Sequence, residues 1–339
     1  MARALKILAG LVLAGIVAWV AWWIVAARGQ EAALAGWLED RAAEGWQAEA
    51  DKISVVGFPD RFDRRVAGLA LADPEAGWAW AVPLLDATSP AWDPTRIDLA
   101  LSETQSFAVP GERVDVEAAR FGGVFSVVPG PSLALREASI ATEALEAIGQ
   151  SGWGAGAAQV SARIARRTGG TGPANGYDID LEALEIRLPA RVVARLDPSG
   201  QLGSEVGRLS LAAQIVADRQ IDRYALEQGE LGAETVVIRD ADLQWDNLGL
   251  GLRGRLDADE EGFAEGEIEI EARQWQRLLD VFERSGAVGP NAREALEGAL
   301  GFVALLGGGD SIEITLGFSG GRMRIGPVPL ADAPRLVQR

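Results

Sequence analysis

The residues best placed to do chemistry are carboxylates and one serine, because the 339-residue chain contains no histidine and no cysteine. That absence removes Ser-His-Asp triads, cysteine nucleophiles, disulfides and ordinary zinc or iron–sulfur sites. Gly317-x-Ser319-x-Gly321 has the spacing of a hydrolase nucleophile elbow. Such an elbow needs a helix directly after the serine and a histidine base. Arg322 to Gly326 alternates as a strand instead, so the motif reads as a hairpin turn. Gly249-x-Gly251-x-x-Gly254 has dinucleotide-binding spacing but lies among alternating Leu248, Leu250, Leu252 and Leu256, where a strand bend explains the glycines. Asp257-x-Asp259-x-Glu261-Gly262 resembles the start of a calcium loop, yet the twelfth position is Ile268 and flanking helices are missing. It reads as an acidic hairpin, with Glu265, Glu267, Glu269 and Glu271 on one solvent face discouraging edge pairing. Neither a cofactor nor a metal is expected. Asp178, Asp180, Asp240 and Asp242 would suffice for carboxylate-only glycan chemistry, but no pattern brings two of them into one cleft.

The elements that hold these residues begin with an anchor. Ile7 to Ala27 is an uninterrupted apolar run bounded by Lys6 and Arg28. As a helix it spans roughly 32 Å, about the hydrocarbon thickness of a bilayer. Trp19, Trp22 and Trp23 cluster near its C-terminal end, where an indole suits the headgroup boundary. Arg3 and Lys6 precede it with no acid before Glu31, which directs the N-terminus to the cytoplasm and the bulk outside. The run is too long for the apolar core of a cleaved signal peptide.

Residues 1–29 are therefore assigned as cytoplasmic tip and signal-anchor, and 30–50 as a helical stalk in which Leu34, Trp37, Leu38 and Arg41 follow helical spacing. Beyond Asp51 the period falls to two. Trp78, Trp80 and Val82 share one face of a strand, with Pro83 and Pro90 as punctuation. Further strands are predicted at 97–101, 114–120, 124–128, 133–140, 177–188, 209–217, 234–238, 243–256, 267–271, 311–318 and 322–326. Asp followed by Gly closes hairpins at Asp73…Gly77, Asp197…Gly200 and Asp257…Gly262. The glycine-rich segment 168–176 divides a β-rich half, 51–170, from a second, 171–339. A helix pair over 273–306 carries Trp275, Leu278, Leu279 and Phe282, then Leu296, Leu300, Val303 and Leu306, with Asn291 as N-cap of its second member. The fold class is mainly β: a transmembrane helix, then a curved antiparallel sheet with a C-terminal helix pair packed on it.

Charge sharpens the address. The whole chain carries −17, and removing Arg3 and Lys6 leaves 30 basic against 49 acidic residues, a balance of −19. Such a domain is unsuited to nucleic acid. An anionic lipid surface would repel it and hold it off the membrane.

Gly57-Phe58-Pro59, Asp73-Pro74…Gly77-Trp78, Trp92-Asp93-Pro94, Trp275…Leu278-Leu279-Asp280 and the segment from Gly321 to Leu330 resemble an uncharacterised bacterial family. Its members are single-anchor inner-membrane proteins with a β-rich periplasmic domain. More distantly the plan is similar to AsmA-like envelope proteins, and that likeness implies an apolar sheet face used for lipid. Trp78, Trp80, Val82, Leu250 and Leu252 are then groove or core residues. The function that follows is non-enzymatic envelope maintenance with a lipid or other apolar ligand. The alternatives are a structural partner of an envelope protein complex and, last, a carboxylate-dependent glycan-processing enzyme.

Overall fold

Helix α1 (Ala2–Ala43) runs unbroken from the apolar segment into the predicted stalk. In the computed structural model its character changes along its length. Ile7 to Trp22 is exposed almost all round, whereas Trp23, Ala27, Leu34 and Leu38 turn one stripe toward a sheet. The structure describes residues 2–168, 173, 175–198, 200, 202–228, 231–285, 293–294, 296–298, 300–301, 309–326 and 328–338. Two compact units form, Met1–Phe125 and Ser126–Arg339. Segment 168–176, the expected internal boundary, lies within the second unit, and 169–172 and 174 fall outside the described residues.

In the first unit, β1 (Gln47–Glu49) and β2 (Lys52–Val56) lie end to end along β3 (Arg61–Asp73), which pairs along its length with β4 (Trp78–Pro90). β5 (Arg96–Leu101) and β6 (Thr104–Val109) share the far edge of β4, and β6 pairs with β7 (Glu112–Glu117). β8 (Arg120–Val127) pairs with β5. β3–β4 and β6–β7 are antiparallel hairpins closed by short turns, as the repeated hairpin signals require. Pro83 does not end a strand as expected. The Leu84 carbonyl accepts from Ser102 on the β5 edge, so Pro83 faces β3, opposite Gly68 at φ 61°, where the β3–β4 register skips one pair and its missing N–H is accommodated. The strand predicted at 114–120 is two, β7 and β8, separated at Ala118–Ala119. β6 was not anticipated.

The second unit is a meander: β9 (Leu135–Gly149), β10 (Gly154–Arg166), β11 (Gly176–Arg187), β12 (Glu205–Ala217), β13 (Ala233–Trp245), β14 (Leu248–Ala258), β15 (Ala264–Arg273), β16 (Ser311–Ser319), β17 (Arg322–Ile325) and β18 (Val328–Asp332). Each pairs antiparallel with the next. Helix α2 (Ala190–Leu196) and helix α3 (Arg223–Gln228) interrupt the meander, and α4 (Trp275–Ser285) follows β15. The predicted strand 243–256 contains a tight turn at Asp246–Asn247, with Asp246 at φ 54°. The Asp197…Gly200 signal follows α2 rather than a strand: buried Asp197 accepts a 2.6 Å bond from the Leu202 N–H. β15 is interior, so its four glutamates do not guard an edge. Of the second predicted helix, residues 293–294, 296–298 and 300–301 are helical. Asn291, Val303 and Leu306 lie outside the described residues. Arg293 ties this segment to α4 through Asp280 at 2.7 Å and Glu283 at 2.5 Å, which hold its guanidinium well above its ordinary pKa.

Candidate functional site

The five groove-or-core residues divide between the units. In the first, Val82 is fully buried with Val66 and Leu69, with Leu38 of α1 packed against the cluster. Trp80 stacks on Phe107 at 6.2 Å and donates its indole N–H to Gln105 Oε1. Trp78 meets Trp46 edge to face. A depression of about 230 Å³ lies beside Trp80 and Phe107, walled by alanines. In the second unit, Leu250 packs beneath α4 with Leu248, Trp275 and Leu278.

Leu252 sits differently. It belongs to a straight cross-strand row: Ile140, Ala162, Leu181, Leu211, Ala241, Leu252 and Ile270 are successive register partners from β9 to β15. None of the seven belongs to a buried cluster among the described residues; Ile140 is exposed and the others are half-buried. The adjacent row of Leu243, Leu250, Ala272 and Ile312 is covered around α4. At about 4.8 Å per strand the open row runs roughly 29 Å, about twice the hydrocarbon depth of one leaflet.

The reverse face of these strands is a lattice of ion pairs. Arg163 bonds Glu137 at 2.8 Å and reaches Asp180 at 3.7 Å; Arg208 bonds Glu182 at 3.0 Å; Arg253 bonds Asp240 at 3.3 Å. Alternation with period two therefore sends apolar side chains to one face and charge to the other. Asp178 accepts from Gln214, and Asp180 also faces Arg239 at 3.6 Å. Asp240 and Asp242 line a polar depression of about 240 Å³ with Arg208, Arg253, Glu269 and Glu271. Asp178, Asp180 and Asp240 serve the lattice, whereas Asp242 Oδ1 is buried without a hydrogen-bond partner among the described residues. Asp240 and Asp242 do share one depression, which no sequence pattern indicated.

One feature escaped sequence reasoning altogether. A depression of about 520 Å³ is lined by Glu146, Trp153, Arg187, Arg191 and Ser204. Arg191 stacks over Trp153 at 5.6 Å, and Arg187 bonds Glu146 at 2.5 Å. A Cβ at Gly156 would meet Arg187 Nη2 at 2.7 Å, so the guanidinium lies on the Gly156 side of β10. The alternation of faces is broken between Gly156 and Gln159, where Ala144 and Glu185 have φ 51°, and Ile186 packs into the core beneath α4, so Arg187 faces away from the row.

The sequence motifs resolve as turns and ladders. Ser319 ends β16, and Gly320 and Gly321, at φ 57° and 68°, form a two-residue turn into β17. Gly249, Gly251 and Gly254 lie inside β14; at Gly254 a Cβ would come 2.3 Å from the Glu267 carbonyl. Asp259 caps its own turn by accepting the Glu261 and Phe263 N–H groups. Asp257 is bound by Arg255 and Thr235, and the Arg255 bond holds its carboxyl below the usual range. Among the described residues, no three carboxylates are placed to hold a metal ion.

A family model described as an uncharacterised protein conserved in bacteria, DUF2125, matches residues 23–334. The chain belongs to the DUF2125 family. The DUF2125 match opens at Trp23, the first residue of α1 buried against the sheet, and leaves out the exposed apolar run before it. It takes in both units and every strand. No curated protein and no solved structure matches the chain, so the AsmA-like likeness stays with the sequence plan.

Proposed function

We propose that this DUF2125 protein is a single-pass inner-membrane protein whose periplasmic β domain serves envelope maintenance by holding a lipid, without catalysing a reaction on it. The observation that carries this reading is the open apolar row from Ile140 to Ile270 on an otherwise ion-paired sheet. Each buried methylene of an acyl chain would contribute about 0.8 kcal/mol on such a surface. The anchor is supported by α1, long and apolar enough to cross a membrane, with Arg3 and Lys6 ahead of the apolar run.

The test is lipid extraction and mass spectrometry of the full chain purified in mild detergent, beside the Leu211→Asn/Leu252→Asn variant. Co-purifying phospholipid should fall several-fold in the variant. Lipid at equal levels in both, or in neither, removes the row as its seat.

A further inference from the structure

The contact between α1 and the first sheet begins inside the apolar run and continues beyond it to Glu31 and Leu38. Trp19 Nε1 donates to the Pro59 carbonyl at 3.0 Å and Trp23 Nε1 to the Arg61 carbonyl at 3.1 Å. Phe62 stacks on Trp23 and Phe58 meets it edge to face, both at 5.5 Å. The turn between β2 and β3 is thus fixed at the level of Trp19–Trp23, a slab about 6 Å thick along the helix. The next turn of the sheet joins it there: the Ala91 N–H donates to the Asp60 carbonyl at 2.8 Å, and Ala91 is buried with Trp23 and Phe62. What this end presents outward is apolar, with Phe58 49% exposed, Trp92 74% exposed, and Trp19 and Trp22 exposed beside them.

If hydrocarbon reached Ala27, the turn backbone, Asp60 and the Arg61–Asp63 pair would lie within it, and lipid does not tolerate an open turn. The uncharged stretch from Ile7 to Trp22 is 16 residues, about 24 Å of helix, a span that crosses with Lys6 snorkelling to the far surface or the bilayer thinning locally. It leaves Trp19 and Trp22 at the boundary, where tryptophans belong.

We infer that Phe58, Pro59 and Trp92 form a membrane-docking edge, seated in the headgroup layer of the bilayer that α1 spans and clamped to that helix by Trp19 and Trp23. The inference rests on the anchor reading of α1. It replaces the expected stand-off: the net acidic charge of the domain is compatible with docking because this end meets lipid through aromatic rings.

The natural absence of cysteine allows single labels. Phe58→Cys, Trp92→Cys, Ala76→Cys and Val12→Cys, each carrying an environment-sensitive fluorophore, are reconstituted as full chains in phosphatidylethanolamine/phosphatidylglycerol vesicles containing lipid-borne quenchers at shallow and deep positions. Ala76 lies in the turn at the opposite end of β3, about 40 Å from Arg61 along the strand. Labels at 58 and 92 should be quenched by the shallow quencher at least threefold more than at 76, and the label at 12 by the deep one. Quenching at 58 and 92 no greater than at 76, with 12 quenched, overturns the docking edge and leaves the anchor intact. No deep quenching at 12 overturns both.

Discussion

Leu248 and Leu252 stand two turns of the pleat apart on the same face of β14, and truncating each to alanine separates a filled core from an open row. Leu248 is 1% exposed and enclosed by Trp245, Trp275 and Leu278. Leu248→Ala removes a fully buried isobutyl group and leaves a cavity, which costs about 3–5 kcal/mol. Leu252 is half-buried in the uncovered row. Losing three carbons there forfeits only about half their transfer free energy, about 1 kcal/mol, with no cavity to enclose. For a unit of this size 1 kcal/mol moves Tm by about 2–4 °C. Calorimetry of the delipidated full chain in detergent should show the second unit melting about 6–20 °C lower in Leu248→Ala, but only about 2–4 °C lower in Leu252→Ala. Added phospholipid should then raise the wild-type Tm by mass action and raise that of Leu252→Asn less. A Leu252→Ala cost equal to that of Leu248→Ala would mean the row is a closed core, and the lipid seat would be refuted.

Tyr177 is fully buried and its hydroxyl accepts the Ile221 N–H at 3.0 Å; Tyr177→Phe strands that donor and should cost about 1–3 kcal/mol, read by calorimetry and by faster exchange of the Ile221 amide. Gly57 has φ 104°, and a Cβ there would come 2.8 Å from Arg61 Cγ and 3.0 Å from the Arg61 carbonyl; Gly57→Ala should destabilise the first unit by about 1–3 kcal/mol, seen in its melting transition. Because Arg255 lowers the folded-state pKa of Asp257, the stability it adds is present above the unfolded carboxylate pKa of about 4 and fades as pH falls through the lower folded value. Denaturant titrations of wild type and Asp257→Asn should therefore differ at pH 6 and converge toward pH 3.

Local patterns were legible where one segment carries its own signal. The apolar run of α1, the Gly320–Gly321 turn and the amphipathic stripe of α4 each need only their own residues to be read. Signals that depend on partners were not. Pro83 looks like a strand end until Gly68 is seen opposite it, at a skipped pair of the β3–β4 ladder. The Asp246–Asn247 turn is hidden because leucines alternate on both sides of it. β10 escapes because its alanines and glycines give little contrast between faces. For the site, Leu252 was identifiable as apolar and strand-borne, but its row exists only through register across seven strands. Trp153, Arg187 and Arg191 come from a turn, a strand end and a helix with no shared spacing.

Strand alternation supplies its own control for the central claim. A photoactivatable diazirine amino acid placed at 252 lies in the row, whereas one at 253 lies on the ion-paired face one residue away. Irradiation of cells making the full chain should yield phospholipid adducts at 252 and at 211, and none at 253. Lipid adducts equal at 252 and 253, or adducts at 252 that are protein alone, would contradict a lipid-holding row.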